Sequence, residues 1–277
     1  MLRNRSLLLQ VVCLSMFASP FIASATEIIG HRGASYDAPE NTVASVKLAW
    51  QQDADASEID VYLTKDNQII ALHDKTTKKT TGVEWIPSER TLAELATLDA
   101  GSWKSPKYAG ERIPSLEEIL DTIPPGKRLV IEIKAGPEIL PHLQTILEAC
   151  PKSPDQIVII AFNWEVITGA KKRLPEIPCY WLYGKTPHVD KETGKISDRP
   201  DELLARCKAA GLDGIDIQFE SEITPDFMKR MKDAGLELIV WTVNDPAVAR
   251  RMVKLGVAGI TTDRPAWLRE QIQVSAE

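Results

Sequence analysis

Between residues 31 and 74 the chain concentrates side chains that can move protons and hold charge. His31-Arg32-Gly33 closes a short apolar run, Glu58-Ile59-Asp60-Val61 lies in a second, and His73-Asp74 closes a third. Histidine titrates near neutrality, so His31 and His73 suit a base and an acid. Paired carboxylates suit a hard cation, and an arginine suits an anion. Each has a plainer reading. An E-x-D pair on a strand is commonly a solvated face, and a histidine at a strand end is commonly structural. What distinguishes this set is that every member falls at the same end of its own strand-like run. Together they read as the working half of a metal-dependent phosphodiester-cleaving site.

Those side chains need particular elements to present them. Glu58 to Tyr62 alternates with period two, so Glu58 and Asp60 share one strand face. Gln68 to His73 reads as a second strand. Asp66-Asn67 between them tolerates positive φ and suits a two-residue hairpin turn. That turn places Asp60 directly opposite His73, on one surface with Glu58; a three-residue turn would shift the register by one. Glu27 to Gly30 is a short strand delivering His31, and Thr42 to Asp53 has a helical pattern with Asn41 as its N-cap.

Strand patterns then recur at 128–134, 156–161, 178–182, 213–217, 236–242 and 258–262. Helical patterns near 138–149, 164–173, 201–210, 224–234, 246–255 and 265–274 separate and follow them. With the strands at Glu27 and Glu58 the count is eight, each followed by a helix, which predicts an α/β fold, a (β/α)₈ TIM barrel. The alternative, an open doubly wound sheet, calls for a Gly-rich phosphate loop, and Arg32-Gly33-Ala34 is not G-x-G-x-x-G. Residues 75–127 break the rhythm as a small insertion after the second strand, with short helices at Thr91 to Leu95 and Leu116 to Ile123. Such insertions sit over the active end of a barrel.

Catalytic groups in barrels lie at the carboxyl ends of the strands, where His31, Glu58, Asp60, Glu132, Lys134, Trp241 and Asp263 all fall. Period two puts Glu132 and Lys134 on one inward face, where a simple ion pair is the alternative to a functional role. Trp241 is either a pocket wall or a packed core residue. Asp263 reads as an N-cap for the last helix, with Pro265 in its first turn. His142 and His188 read as surface residues.

The chain has 277 residues, net charge −6 and 44% hydrophobic residues, an ordinary globular composition. Its acidic balance argues against nucleic acid or an anionic membrane as partner. Arg3 and Arg5, the apolar Leu7 to Ile22 and Ala23-Ser24-Ala25 predict a signal peptide over residues 1–25. The mature chain would start at Thr26 as a single barrel domain, 26–277, in the periplasm or medium. Pro20 and the short apolar core argue against an uncleaved anchor. No small-residue lipobox precedes Cys13. Export would permit a Cys150–Cys179 bridge, with buried thiols at Cys150, Cys179 and Cys207 as the alternative. No CxxC or Cys/His cluster suggests zinc.

Taken jointly, H-R-G at His31, P-E-N-T at Pro39, E-x-D at Glu58, H-D at His73 and W-T-V-N at Trp241 resemble the glycerophosphodiester phosphodiesterase family. The resemblance covers essentially all of the chain after the first 25 or so residues. It implies one divalent cation held by Glu58, Asp60 and Glu132. Three carboxylates without soft ligands suit Ca²⁺ or Mg²⁺, and an exported enzyme meets Ca²⁺ more often. It further implies His31 and His73 as catalytic acid and base. The hairpin, with His73 beside Asp60, and the barrel, with His31 at the mouth of the first strand, predict that they flank the metal from different sides. Arg32 and Lys134 would hold phosphoryl oxygens, and Trp241 would bind the glycerol or alcohol moiety. The expected reaction is hydrolysis of small glycerophosphodiesters to glycerol 3-phosphate and an alcohol, without stable membrane insertion. A phospholipase C- or D-like enzyme acting on intact lipid is the alternative, although no interfacial amphipathic helix supports it. Which histidine is the base, and whether water or the glycerol 2-hydroxyl attacks, stays open. The sequence departs from the family at the end of the fourth barrel strand, where Ala161-Phe162 replaces the usual Ser-Phe.

Overall fold

The computed structural model describes residues 26–185, 188–189, 196–197 and 199–273, the two short middle pieces as backbone alone. The expected signal peptide lies outside the described residues, as does the side chain of His188. Among the described residues eleven strands form: β1 Glu27–Gly30, β2 Ala56–Leu63, β3 Ile69–Ala71, β4 Arg128–Ile133, β5 Ile157–Ala161, β6 Cys179–Tyr183, β7 His188–Val189, β8 Ile196–Ser197, β9 Gly214–Gln218, β10 Glu237–Trp241 and β11 Gly259–Thr262. Eight of them close a barrel in the order β1-β2-β4-β5-β6-β9-β10-β11, with β11 returning to β1, and every one of these pairings is parallel. β3 pairs antiparallel with the end of β2, and β7 pairs with β8 as a separate ribbon.

Runs such as Leu129-Val130-Ile131 and Ile157-Val158-Ile159-Ile160 are buried on both faces, as a parallel sheet wrapped in helices requires. Around the barrel lie α1 Val43–Gln51, α4 Leu116–Leu120, α5 Leu140–Ala149, α6 Trp164–Arg173, α7 Pro200–Ala209, α8 Pro225–Ala234, α9 Pro246–Leu255 and α10 Pro265–Gln273. Their ends are written in the sequence. Thr42, Asn163, Thr224 and Asp245 cap N-termini with side-chain oxygens, and Gly235 and Gly256 close α8 and α9 in the left-handed region. Among the described residues no helix is long and apolar enough to cross a membrane.

The main core fills the space between sheet and helices, and a smaller one fills the barrel with Ile29, Val130, Ile160, Leu182 and Ile239. At the amino-terminal end polar groups plug the barrel. Arg128 pairs with Glu27 at 3.0 Å, and the Tyr180 hydroxyl donates to Glu237. Between β3 and β4 the chain makes α2 Lys78–Thr81 and α3 Leu92–Leu95 before α4. That segment packs its own cluster, Leu95, Leu98, Ala100 and Ile113, onto Ile70 and Leu72 beside the barrel mouth.

Two expectations need correction. Cys150, Cys179 and Cys207 are all free thiols. Cys179 is sunk in the core, whereas Cys150 sits half-buried at the end of α5. The β2–β3 hairpin has a three-residue turn, because Thr64 pairs with Gln68 across Lys65-Asp66-Asn67. Asn67 supplies the positive φ (60°) that such a turn needs. The register therefore slips by one: Val61 faces Ala71, and Asp60 accepts from the Leu72 N–H rather than lying opposite His73.

Candidate active site

Three inward positions on neighbouring strands build the acidic centre. Glu58 and Asp60 alternate on β2, and Asp60 lies in register with Glu132 of β4. One carboxylate oxygen from each falls within 4.8 Å of the others. Glu58 and Asp60 are almost wholly buried. Glu58 is pushed well above the usual carboxylate range by burial, then by the charges of Asp60 and Glu132. Burial and Asp60 raise Glu132 to about 7 against the pull of Lys134.

Cations answer part of this charge. Lys134 Nζ lies 2.8 Å from Glu132 and 3.7 Å from Asp60. The Arg32 N–H donates to Glu58 Oε2 at 2.8 Å, and Arg32 Nε lies 3.3 Å from Asp60. The Glu132–Lys134 ion pair foreseen as the plain alternative is therefore present, within a larger network. Yet Glu58 Oε1 is buried without a hydrogen-bond partner among the described residues. An orphaned oxygen beside two further carboxylates, with no sulfur or nitrogen ligand in the group, fits a hard divalent cation.

The two histidines come from different elements, each with a carboxylate on Nδ1. His31, at the end of β1, meets Asp263 Oδ1 at 2.6 Å; His73, just past β3, meets Asp74 Oδ1 at 2.7 Å. Each pairing leaves Nε2 as the ring's other functional nitrogen. Burial lowers the His73 pKa, and the charges of Arg32 and Lys134 act in the same direction. Asp60 and the Asp74 hydrogen bond oppose them. Burial disfavours charge on Asp263, but hydrogen bonds from His31, Asn244 and Ser35 overcome it and hold the carboxyl at about 2.

The H-R-G turn makes these contacts possible. Arg32 itself adopts a left-handed φ of 54°, and Gly33 follows at 82°. A Cβ on Gly33 would lie 2.4 Å from the Ser45 backbone of α1. The glycine thus brings the turn close enough to α1 for Arg32 to reach the acids.

Two residues serve differently from the sequence reading. Asp263 orients His31 and accepts from Asn244 Nδ2 at 2.6 Å, instead of capping α10. Asn41 does not cap α1; Thr42 does, with Ser45 completing a capping box. Asn41, buried and left-handed at φ 57°, donates from Nδ2 to Asp60 Oδ2 at 2.9 Å and accepts the Asp60 N–H at 3.0 Å. Its neighbour Glu40 accepts from Arg32 at 2.9 Å and from Lys79 at 2.8 Å. The P-E-N-T motif was the available signal for both. Trp241 stands at the end of β10, edge-on to Phe162 with ring centroids 5.8 Å apart. His142 is half-buried on α5 and belongs to none of this.

Comparison with known proteins agrees with this geometry. The profile of the glycerophosphoryl diester phosphodiesterase family matches residues 31–267. A glycerophosphodiester phosphodiesterase of Caldanaerobacter subterraneus subsp. tengcongensis is 36% identical over 247 residues, covering 88% of this chain and 96% of that protein. Another, from Bacillus subtilis, is 29% identical, covering 86% and 83%. Among solved structures, an Oleispira antarctica phosphodiesterase in complex with the product sn-glycerol-3-phosphate superposes with a TM-score of 0.79 at 28% identity. It covers 90% of this chain and 97% of its own. With that profile spanning most of its length, the chain belongs to the glycerophosphoryl diester phosphodiesterase family.

Proposed function

We propose that the chain hydrolyses glycerophosphodiesters, the headgroups of deacylated phospholipids, to sn-glycerol 3-phosphate and an alcohol, using a divalent cation and two histidines. The observation that carries this reading is one arrangement at the carboxyl end of the barrel. Two imidazoles, each braced on Nδ1 by its own carboxylate, accompany a triad of acids with an unpartnered oxygen. Membership of the family supplies the substrate class.

Glu58, Asp60 and Glu132 would hold the cation, Ca²⁺ ahead of Mg²⁺. When bound there, it polarises a phosphoryl oxygen and makes an attacking hydroxyl more acidic. Arg32 and Lys134 hold the remaining phosphoryl oxygens. One histidine removes the proton from the attacking hydroxyl, whether of water or of the glycerol 2-position by way of a cyclic phosphate. The other protonates the departing alkoxide as the P–O bond breaks. Asp263 and Asp74 fix the tautomers, so that each ring presents Nε2 to the substrate. Trp241 and Phe162 wall one arm of the substrate. The basic and apolar pattern of residues 1–25, read as a signal peptide, supports export, and mass spectrometry of the recovered protein should then find a chain starting at Thr26.

The test is release of glycerol 3-phosphate by EDTA-treated protein with and without added Ca²⁺ or Mg²⁺, alongside two variants. His31→Ala and His73→Ala should each lower kcat by ~10²–10⁴. Near wild-type turnover in either variant removes that histidine from the chemistry. Faster release from intact phospholipid vesicles than from glycerophosphodiesters would replace this reading with a phospholipase C- or D-like one.

A further inference from the structure

Beside His31 the barrel mouth opens into a cavity of about 360 Å³, between the turn after β1 and the segment joining β3 to β4. The exposed rings of Tyr36 and Trp103 line it, together with Lys104. Its charges are unevenly matched. The acids are already committed: Glu40 to Arg32 and Lys79, and Asp263 to His31. Lys104 is not. Its Nζ donates to the Ser35 carbonyl at 2.7 Å and pairs with no carboxylate among the described residues. An ammonium carries three donors, so two remain.

The aromatic walls alone would suggest a cation site, since ring faces attract ammonium groups. Here those faces already carry cations. Lys104 Nζ lies 6.0 Å from the Tyr36 ring centroid and 5.8 Å from that of Trp103. The Arg264 guanidinium stacks on Tyr36 at 4.2 Å, and it too pairs with no carboxylate among the described residues. A quaternary ammonium entering the cavity would meet like charge where it needs a bare ring. A carboxylate or phosphate would find unused N–H donors. Resting on the phosphodiesterase reading above, we propose that this cavity seats the alcohol released from the substrate and that Lys104 selects alcohols bearing an anionic group.

The experiment compares kcat/KM for glycerophosphoserine, which carries a carboxylate, a phosphorylated glycerophosphoinositol, which carries a second phosphate, and glycerophosphocholine. Wild type should favour the anionic substrates by about 10-fold, the worth of a charge-assisted hydrogen bond. Lys104→Ala should bring the ratio near one, Lys104→Glu should invert it, and Lys104→Arg should keep it. If the preference covers one anionic substrate alone, the group selected is that carboxylate or that phosphate. A ratio unmoved by Lys104→Ala and Lys104→Glu overturns the proposal. So does an equal loss on all substrates, which would place the shared glycerol arm in the cavity. If wild type cleaves none of the three, the functional reading falls and this one with it. If it cleaves them all at a ratio Lys104 does not move, this one alone falls.

Discussion

Carboxylates that repel one another need a neighbour to order them, and Asn41 does this for Asp60. Its amide donates to the side chain of Asp60 and accepts from its backbone, so both the charge and the strand position are fixed. Groups that brace a metal ligand typically contribute 10–100-fold to metal affinity or activity. Asn41→Ala should therefore weaken Ca²⁺ or Mg²⁺ binding by roughly that factor in calorimetric titration. Asn41→Asp should be worse, because it exchanges a donor for a fourth negative charge. Unchanged affinity in Asn41→Ala would show that Asp60 needs no brace. From the sequence, Asn41 satisfied a local rule, since asparagine before an apolar periodic run is a good N-cap. Its actual partner is 19 residues away on another element. Asp263 was misread for the same reason: an acid before Arg264-Pro265 looks like a cap, while the histidine it holds is 232 residues earlier. Charged residue types and strand ends were legible at this scale. Long-range hydrogen bonds were not.

At the scale of elements, the turn after β1 is under the tightest steric control. Gly33 combines a φ of 82° with backbone contact against α1, so a methyl group there meets both a conformational penalty and a collision. Gly33→Ala should cost about 2 kcal/mol or more of stability, measured by urea unfolding. It should also lower activity, because the displaced turn carries His31 on one side and Arg32 within it. A variant of full stability would mean that α1 yields to the methyl. The β2–β3 hairpin shows the limit of pattern reading. Alternation placed Glu58 and Asp60 on one face, as found, but the register depended on turn length. Asp66-Asn67 fits a two-residue loop as well as it fits part of a three-residue one. The slip removes His73 from its expected place opposite Asp60, although the two remain close enough for the charge of Asp60 to act on the His73 ring.

The whole molecule was the most legible level. Eight parallel strands with intervening helices leave a periodic signal that single residues cannot mask, and the barrel closes with the strands that the pattern marked. What pattern could not supply is the balance of charge inside that barrel. Folding carries Glu132 from water into a site where burial and Asp60 raise it to about 7. Glu58 and Asp216, both buried, are raised well above the ordinary range. A carboxyl whose pKa rises on folding favours the fold while it keeps its proton. That contribution is complete below the unfolded value, near 4.5, and is lost as pH climbs through about 7. Protein stripped with EDTA should therefore lose on the order of 3 kcal/mol between pH 5 and pH 8 from Glu132 alone. Its Tm should drop by roughly 5 °C or more. A divalent cation binds the ionised acids and not the protonated ones, so millimolar Ca²⁺ or Mg²⁺ should raise Tm strongly at pH 8 and little at pH 5. Glu132→Gln should shrink the pH dependence and the cation effect together, since this carboxylate contributes to both. A melting temperature at pH 8 that ignores added cation would mean that the three acids do not form a metal site.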